Sequence, residues 1–186
     1  MRNLICDLSH EIIKPYVTKN DIMIDATMGN GFDTLFLASI SKHVYAFDIQ
    51  DQALNETKKL LDQSNVDNVT LILDSHENMF DYIKTFKGVF FNLGYLPKGD
   101  KSVTTKTDIT LKTLNQILPR LEVNGFILYV VYPGHDEGFK ESKALFDHIK
   151  TLDPQIYKTV RIDLPFQDHN PPYILWIHKQ KSDQLM

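Results

Sequence analysis

The sequence predicts an α/β chain: a seven-stranded, mostly parallel, doubly wound sheet with a terminal antiparallel strand, preceded by an N-terminal helix. Short apolar runs alternate with helix-period stripes through most of the chain. Phe126 to Tyr132 is continuously apolar, as a strand is when helices cover both faces of a parallel sheet. Two strand-like stretches close the chain, Tyr157 to Leu164 and Tyr173 to His178, with no helix between them, so they pair antiparallel.

In order along the chain, Leu4, Leu8, Ile12 and Tyr16 recur at i, i+4, and residues 3–18 read as an amphipathic lead helix broken by Asn20 and Asp21. Ile22 to Ile24 is a strand entering a turn at Gly29-Asn30-Gly31, and Leu35 to Leu37, Ala38 and Ile40 mark a buried helix. His43 to Phe47 is a strand ending at Asp48, and Ala53, Leu54, Thr57, Leu60 and Leu61 line one helix face. Val69 to Leu73 and Lys87 to Phe91 are strands ending at Asp74 and Asn92. Leu111, Leu114, Leu118 and Leu121 give a helix that Asn124-Gly125 terminates. Leu145, Ile149 and Leu152 form the last helical stripe, and Pro165 to Pro172 is a loop.

Composition narrows the class. A length of 186 residues suits a single domain spanning 1–186, and 42% apolar with 24% charged residues excludes a disordered chain. The one cysteine, Cys6, excludes a disulfide framework or a cysteine-based zinc cluster and suits a reducing cytoplasm, the expected compartment. The uncharged stretch Gly125 to His135 stops at Asp136, far short of the ~18 apolar residues that span a bilayer. Asp7 interrupts any signal-peptide apolar region, so no membrane partner is expected. Twenty basic residues against twenty-four acidic ones, a net charge of −4, argue against a chain coated with nucleic acid. A local basic patch stays open.

The candidate chemistry gathers at the carboxyl ends of the predicted strands, where open α/β sheets bind ligands. Asp25 to Asp33 follows the first strand, and Gly29 and Gly31 permit positive φ and a close ligand. Asp48 ends the next strand and suits a carboxylate that accepts both hydroxyls of an adenosine ribose. A dinucleotide fingerprint would need a third glycine where Thr34 stands, and Asp33 in the first helical turn would repel a pyrophosphate. S-adenosylmethionine, with a cationic sulfonium and ammonium and no phosphate, matches the acidic loop better. Ser75 is placed either to bond an adenine edge or to cap a helix ahead of Glu77.

Asn92 and Tyr95, at the end of a central strand, stand where a methyl acceptor would sit: an amide oxygen can accept from an amine and an aromatic ring can stack on a base. Lys98, Lys101, Lys106 and Lys112 follow, against Asp100 and Asp108, and form either a phosphate-contacting flap or a solvated loop. His135 reads as a base or substrate contact, or as a structural histidine. Asp168 to Pro172 is placed to form a substrate wall.

At these residues the chain resembles a known family. The run Asp25-Ala26-Thr27-Met28-Gly29-Asn30-Gly31 with Asp33-Thr34, Tyr45 to Gln50, Asn92 to Pro97, Gly134-His135 and Pro171-Pro172 are similar to small bacterial S-adenosylmethionine-dependent methyltransferases long labelled rRNA methylases. The likeness departs at Phe32, where family members often carry His, and at Lys98, where they carry Gly. The resemblance implies a Rossmann-like class I methyltransferase fold, and a cofactor site lined by Gly29, Asn30, Asp33, Asp48, Gln50, Ser75 and His76. It implies an acceptor site at Asn92 and Tyr95, and methylation of the aminomethyl group of 5-aminomethyl-(2-thio)uridine at the tRNA wobble position. The expected partner is then a tRNA anticodon loop, whose splayed bases are read by stacking and edge contacts. Methylation of rRNA or of a small molecule is the alternative, and a homodimer is compatible with an enzyme of this size.

Overall fold

The computed structural model describes residues 4–93 and 107–182. It begins with helix α1 (Leu4–Ile13), after which strands and helices alternate: β1 (Ile22–Asp25), α2 (Phe32–Ile40), β2 (His43–Asp48), α3 (Asp51–Gln63), β3 (Val69–Leu73), β4 (Gly88–Leu93), α4 (Thr107–Arg120), β5 (Phe126–Val131), α5 (Asp136–Ile149), β6 (Tyr157–Ile162) and β7 (Tyr173–Lys179). The strands form one sheet in the order β3-β2-β1-β4-β5-β7-β6. β7 runs antiparallel to both neighbours, and the other pairings are parallel. Among the described residues no helix is long and apolar enough to cross a membrane.

The sheet explains the sequence pattern. All six residues of β5 are buried. Period-2 alternation sends Phe126, Leu128 and Val130 into one core, with Ile5 and Ile13 of α1 and Leu37 of α2. Ile127, Tyr129 and Val131 face the other, with Leu114 and Ile117 of α4 and Leu145 of α5. β6 lies at the sheet's edge, and its residues 158–161 are exposed. Lys158 and Arg161 there discourage edge-to-edge pairing.

The lead helix departs from the expected 3–18. The α-helix stops at Ile13 and a single 3₁₀ turn, Lys14–Tyr16, follows, because Pro15 cannot donate to an α-helical ladder. Its buried face is also displaced. Ile5, Ser9 and Ile13 are buried, whereas Leu4 is 63% and Tyr16 40% exposed. Ser9 conceals this stripe in the sequence, and its hydroxyl tolerates burial by donating to the Cys6 carbonyl at 2.7 Å. β6 ends two residues before the expected Leu164, β7 runs one residue beyond the expected His178, and the helix expected through Leu152 ends at Ile149.

Between α4 and α5, the Thr110 hydroxyl donates to Glu141 Oε1 at 2.6 Å, and Glu141 is buried. Burial pushes the Glu141 carboxyl up to about 7, with the Thr110 bond opposing in part. A folded-state value above the ordinary 4.5 means that the folded chain holds this proton more tightly than the unfolded chain. Its contribution to stability is therefore complete below about pH 4.5 and is lost as pH rises through about 7. Asp25, also raised to about 7, acts in the same direction. Chemical denaturation should show stability falling between about pH 5 and pH 8 by roughly 1–3 kcal/mol for Glu141 alone. Glu141→Gln should flatten that slope.

Candidate active site at the carboxyl edge of the sheet

Strand order reverses between β1 and β4, and this opens a crevice beyond the carboxyl ends of β1, β2 and β4. The β1–α2 loop is sewn across it. Ala26 N–H donates to the Phe90 carbonyl at 2.9 Å and Met28 N–H to the Phe47 carbonyl at 2.9 Å, tying the loop to β4 and β2. Asp25 is fully buried; its carboxylate accepts the Thr34 hydroxyl at 2.6 Å and Thr27 N–H at 3.1 Å. Burial, then the charge of Asp33, raises its carboxyl, and Asp48 adds a smaller push. Asp25 is thus the internal clamp of the loop.

The glycines shape the rest of that loop. Gly31 has φ +81°, and a Cβ there would stand 2.8 Å from the Thr57 side chain. Thr57 in turn donates its hydroxyl to the Gly29 carbonyl at 3.1 Å, locking α3 to the loop. Gly29 N–H donates to Asp48 Oδ2 at 3.0 Å, and Gln50 N–H donates to Asp48 Oδ1 at 3.0 Å. Among the described residues each Asp48 oxygen accepts one backbone donor in good geometry, the Ile49 N–H being a weaker neighbour, and acceptor capacity remains on both oxygens. Burial raises the Asp48 carboxyl, against the backbone N–H groups of Gln50, Gly29 and Ile49. Asn30 lies between the two glycines of the same turn.

At the end of β3 the two readings of Ser75 resolve in part. Its hydroxyl accepts Glu77 N–H at 3.4 Å and caps the 3₁₀ turn His76–Asp81. His76 is 8% exposed and meets Phe91 edge-on at 5.4 Å. Its Nε2 is buried with no hydrogen-bond partner among the described residues. Burial lowers the ring to about 4, so the imidazole is neutral at pH 7.

β4 delivers Asn92. Its backbone N–H donates to Thr27 Oγ1 at 2.7 Å, joining β4 to the loop. Its side-chain Nδ2 donates to Asp33 Oδ2 at 2.8 Å and lies 3.7 Å from Cys6 Sγ. An ionised carboxylate only accepts, so the Asp33 contact fixes which end of the amide is nitrogen. Among the described residues no donor is paired with the amide oxygen. Asp33 Oδ1 pairs with His10 Nε2 at 2.6 Å, so Asp33, expected in the cofactor pocket, joins α1 to Asn92. Cys6, His10 and Thr57 are candidate site residues that sequence reasoning missed, whereas Thr27 lies within the run it singled out.

Tyr95 and the lysines at 98, 101 and 106 lie outside the described residues. His135 opens α5: its Nδ1 accepts Gly138 N–H at 3.1 Å as the helix N-cap, the structural alternative for this residue.

A family profile described as "Putative rRNA methylase" matches residues 44–178. The chain belongs to this family. A chloroplast tRNA (mnm(5)s(2)U34)-methyltransferase of Arabidopsis thaliana is 37% identical over 159 residues, covering 77% of this chain and 58% of that protein. The chain thus spans less than two thirds of that relative's length. A Clostridium thermocellum structure carrying the family's description superposes with a TM-score of 0.90 at 40% identity, covering 96% of this chain and 99% of that one. A Streptococcus mutans protein described as a "putative methyltransferase", solved in complex with SAH, gives 0.88 at 40% identity with the same coverage. The methylase family fold, a class I methyltransferase sheet with β7 antiparallel, is the architecture described above.

Proposed function

We propose that this methylase uses S-adenosylmethionine to methylate the aminomethyl group of 5-aminomethyl-(2-thio)uridine at the wobble position of tRNA. The observation that carries the acceptor chemistry is the Asn92 amide. With its nitrogen turned to Asp33, its oxygen accepts an N–H, as a primary amine offers and an aromatic carbon does not. The likeness to the chloroplast tRNA (mnm(5)s(2)U34)-methyltransferase supports this acceptor over others.

The residues at the crevice fit the cofactor. Asp48 keeps one acceptor position on each oxygen for the two ribose hydroxyls, and the orphaned His76 Nε2 suits a donor such as the adenine amino group. Asp33 and Asp48 make the crevice acidic, with the buried Asp25 clamping the loop behind them, and an acidic lining favours a cationic ligand over a pyrophosphate. When bound, S-adenosylmethionine supplies a methyl group from its sulfonium, leaving S-adenosylhomocysteine.

The chain's own work is alignment. The acceptor amine has a lysine-like pKa and is protonated in water, whereas only its neutral form has a lone pair to attack. Partial burial at the crevice disfavours the ammonium. Asn92 Oδ1 accepts one N–H and aims the lone pair along the line of displacement. The new N–C bond forms as the S–C bond breaks, and the surplus proton on nitrogen leaves to water. The tRNA anticodon loop is the partner that presents this base unstacked.

Mass spectrometry of wobble nucleosides from a deletion strain tests the reading. Loss of the methylaminomethyl nucleoside with accumulation of its aminomethyl precursor is expected. An unchanged methylaminomethyl level, or a methyl group missing from rRNA instead, would overturn it.

A further inference from the structure

The first helix is not part of the sheet, yet it reaches the acceptor site with two side chains. Cys6 and His10 are four residues apart and so share a face of α1. Cys6 Sγ lies 3.7 Å from Asn92 Nδ2 and 3.4 Å from the Tyr132 hydroxyl. His10 Nε2 lies 2.6 Å from Asp33 Oδ1, while Asp33 Oδ2 accepts from the same Asn92 nitrogen at 2.8 Å. The His10 ring stacks on Phe36 of α2 with centroids 3.8 Å apart and planes 3° from parallel. Asp33 is nine-tenths buried, so the His10–Asp33–Asn92 chain is shielded from competing water.

We propose that His10 is a positioning residue for methyl transfer, holding Asp33 and, through it, the Asn92 amide with its oxygen toward the acceptor amine. The inference rests on the reading of Asn92 given above. The physical need is specific. The terminal torsions of Asn and Asp are broad, so neither side chain alone keeps one orientation. A carboxylate bonded at one oxygen pivots about that bond. With His10 on Oδ1 and Asn92 on Oδ2 both oxygens of Asp33 are engaged, and the stack on Phe36 fixes His10 in turn. A role confined to docking α1 would need only the ring stack and would leave catalysis indifferent to the ring nitrogen.

His10→Phe keeps an aromatic ring for Phe36 and removes the nitrogen. His10→Gln restores a donor at a similar reach. In steady-state assays with aminomethyl-bearing tRNA, His10→Phe is expected to lower kcat by about tenfold or more, with KM for S-adenosylmethionine and the thermal midpoint little changed. His10→Gln is expected to recover most of the lost turnover. By NMR, the side-chain amide resonances of Asn92 should shift in His10→Phe and return toward their original position in His10→Gln. If His10→Phe keeps kcat within about twofold while Asn92→Ala is inactive, the positioning role is overturned and the reading of Asn92 stands. If Asn92→Ala itself keeps full turnover, the underlying reading fails first. Should His10→Phe not fold, His10→Asn, whose amide stops short of Asp33, is judged by the same criteria.

Discussion

Asn92→Ala should lower kcat by about a hundredfold while leaving S-adenosylmethionine binding within a few-fold of the original, because the role proposed for the amide is to set the acceptor's geometry. The truncation removes the oxygen proposed to take the amine N–H. It also leaves Asp33 Oδ2 without the donor now 2.8 Å away. The fold should tolerate it: the Asn92 backbone N–H, which ties β4 to the loop through Thr27 Oγ1 at 2.7 Å, is untouched. Kinetics with saturating tRNA separate the two effects, and calorimetry with the cofactor checks that the pocket survives. Retention of full turnover would remove Asn92 from the mechanism.

Asn92→Asp makes a sharper companion. It keeps an acceptor oxygen but sets a second carboxylate against Asp33, so one of the pair must hold a proton. A protonated partner can donate where Nδ2 donated. Activity in this variant should therefore favour lower pH than in the parent, and a pH–rate profile of the two proteins reads the difference. The direction follows from like charges at short range and does not depend on which carboxyl keeps the proton.

Much of this arrangement is legible in the sequence because it is local. Asp25, the glycine turn and Asp48 announce themselves through strand-then-turn punctuation, and β1 and β2 place them where expected. β3 spans Val69 to Leu73 as read, since its apolar run is bounded on both sides by polar turns. The contacts on the proposed acceptor side are not local. His10 and Asp33 are 23 positions apart, Asn92 and Asp33 59, and Cys6 and Tyr132 126. No periodicity encodes such pairings. The lead helix shows why: a stripe at 4, 8, 12 and 16 is more apolar by count than the true stripe at 5, 9 and 13, whose middle member is a serine satisfied by its own backbone. Misplacing that face by one residue hides which side chains α1 carries toward β4. His135 shows a different kind of ambiguity. Its position at the end of β5 suits chemistry, but the first turn of α5 has orphan N–H groups to satisfy, and Nδ1 accepts one of them.

Asp48→Ala should weaken S-adenosylmethionine binding by about a hundredfold or more, the largest effect expected of any single cofactor-site change. Two losses add. Each ribose hydroxyl donating to a carboxylate is a charge-assisted bond of about 1.5–3 kcal/mol, so losing both costs at least 3 kcal/mol. Gly29 N–H and Gln50 N–H, each 3.0 Å from an Asp48 oxygen, also lose their acceptor, which loosens the glycine turn of the proposed cofactor site. Asp48→Asn separates these contributions: its amide oxygen can still serve one of the two N–H groups, while its nitrogen faces the other donor to donor. Binding should fall between the parent and Asp48→Ala. pH gives a second handle. Burial holds the Asp48 carboxyl above its ordinary value, so protonation intrudes at a less acidic pH than for an exposed aspartate. Affinity for the cofactor should therefore decline on acidification in the parent and stay flat in Asp48→Ala. A titration by calorimetry at several pH values checks both. Near-parental affinity in Asp48→Ala would mean that the ribose sits elsewhere, and with it the whole orientation of the methyl group toward Asn92.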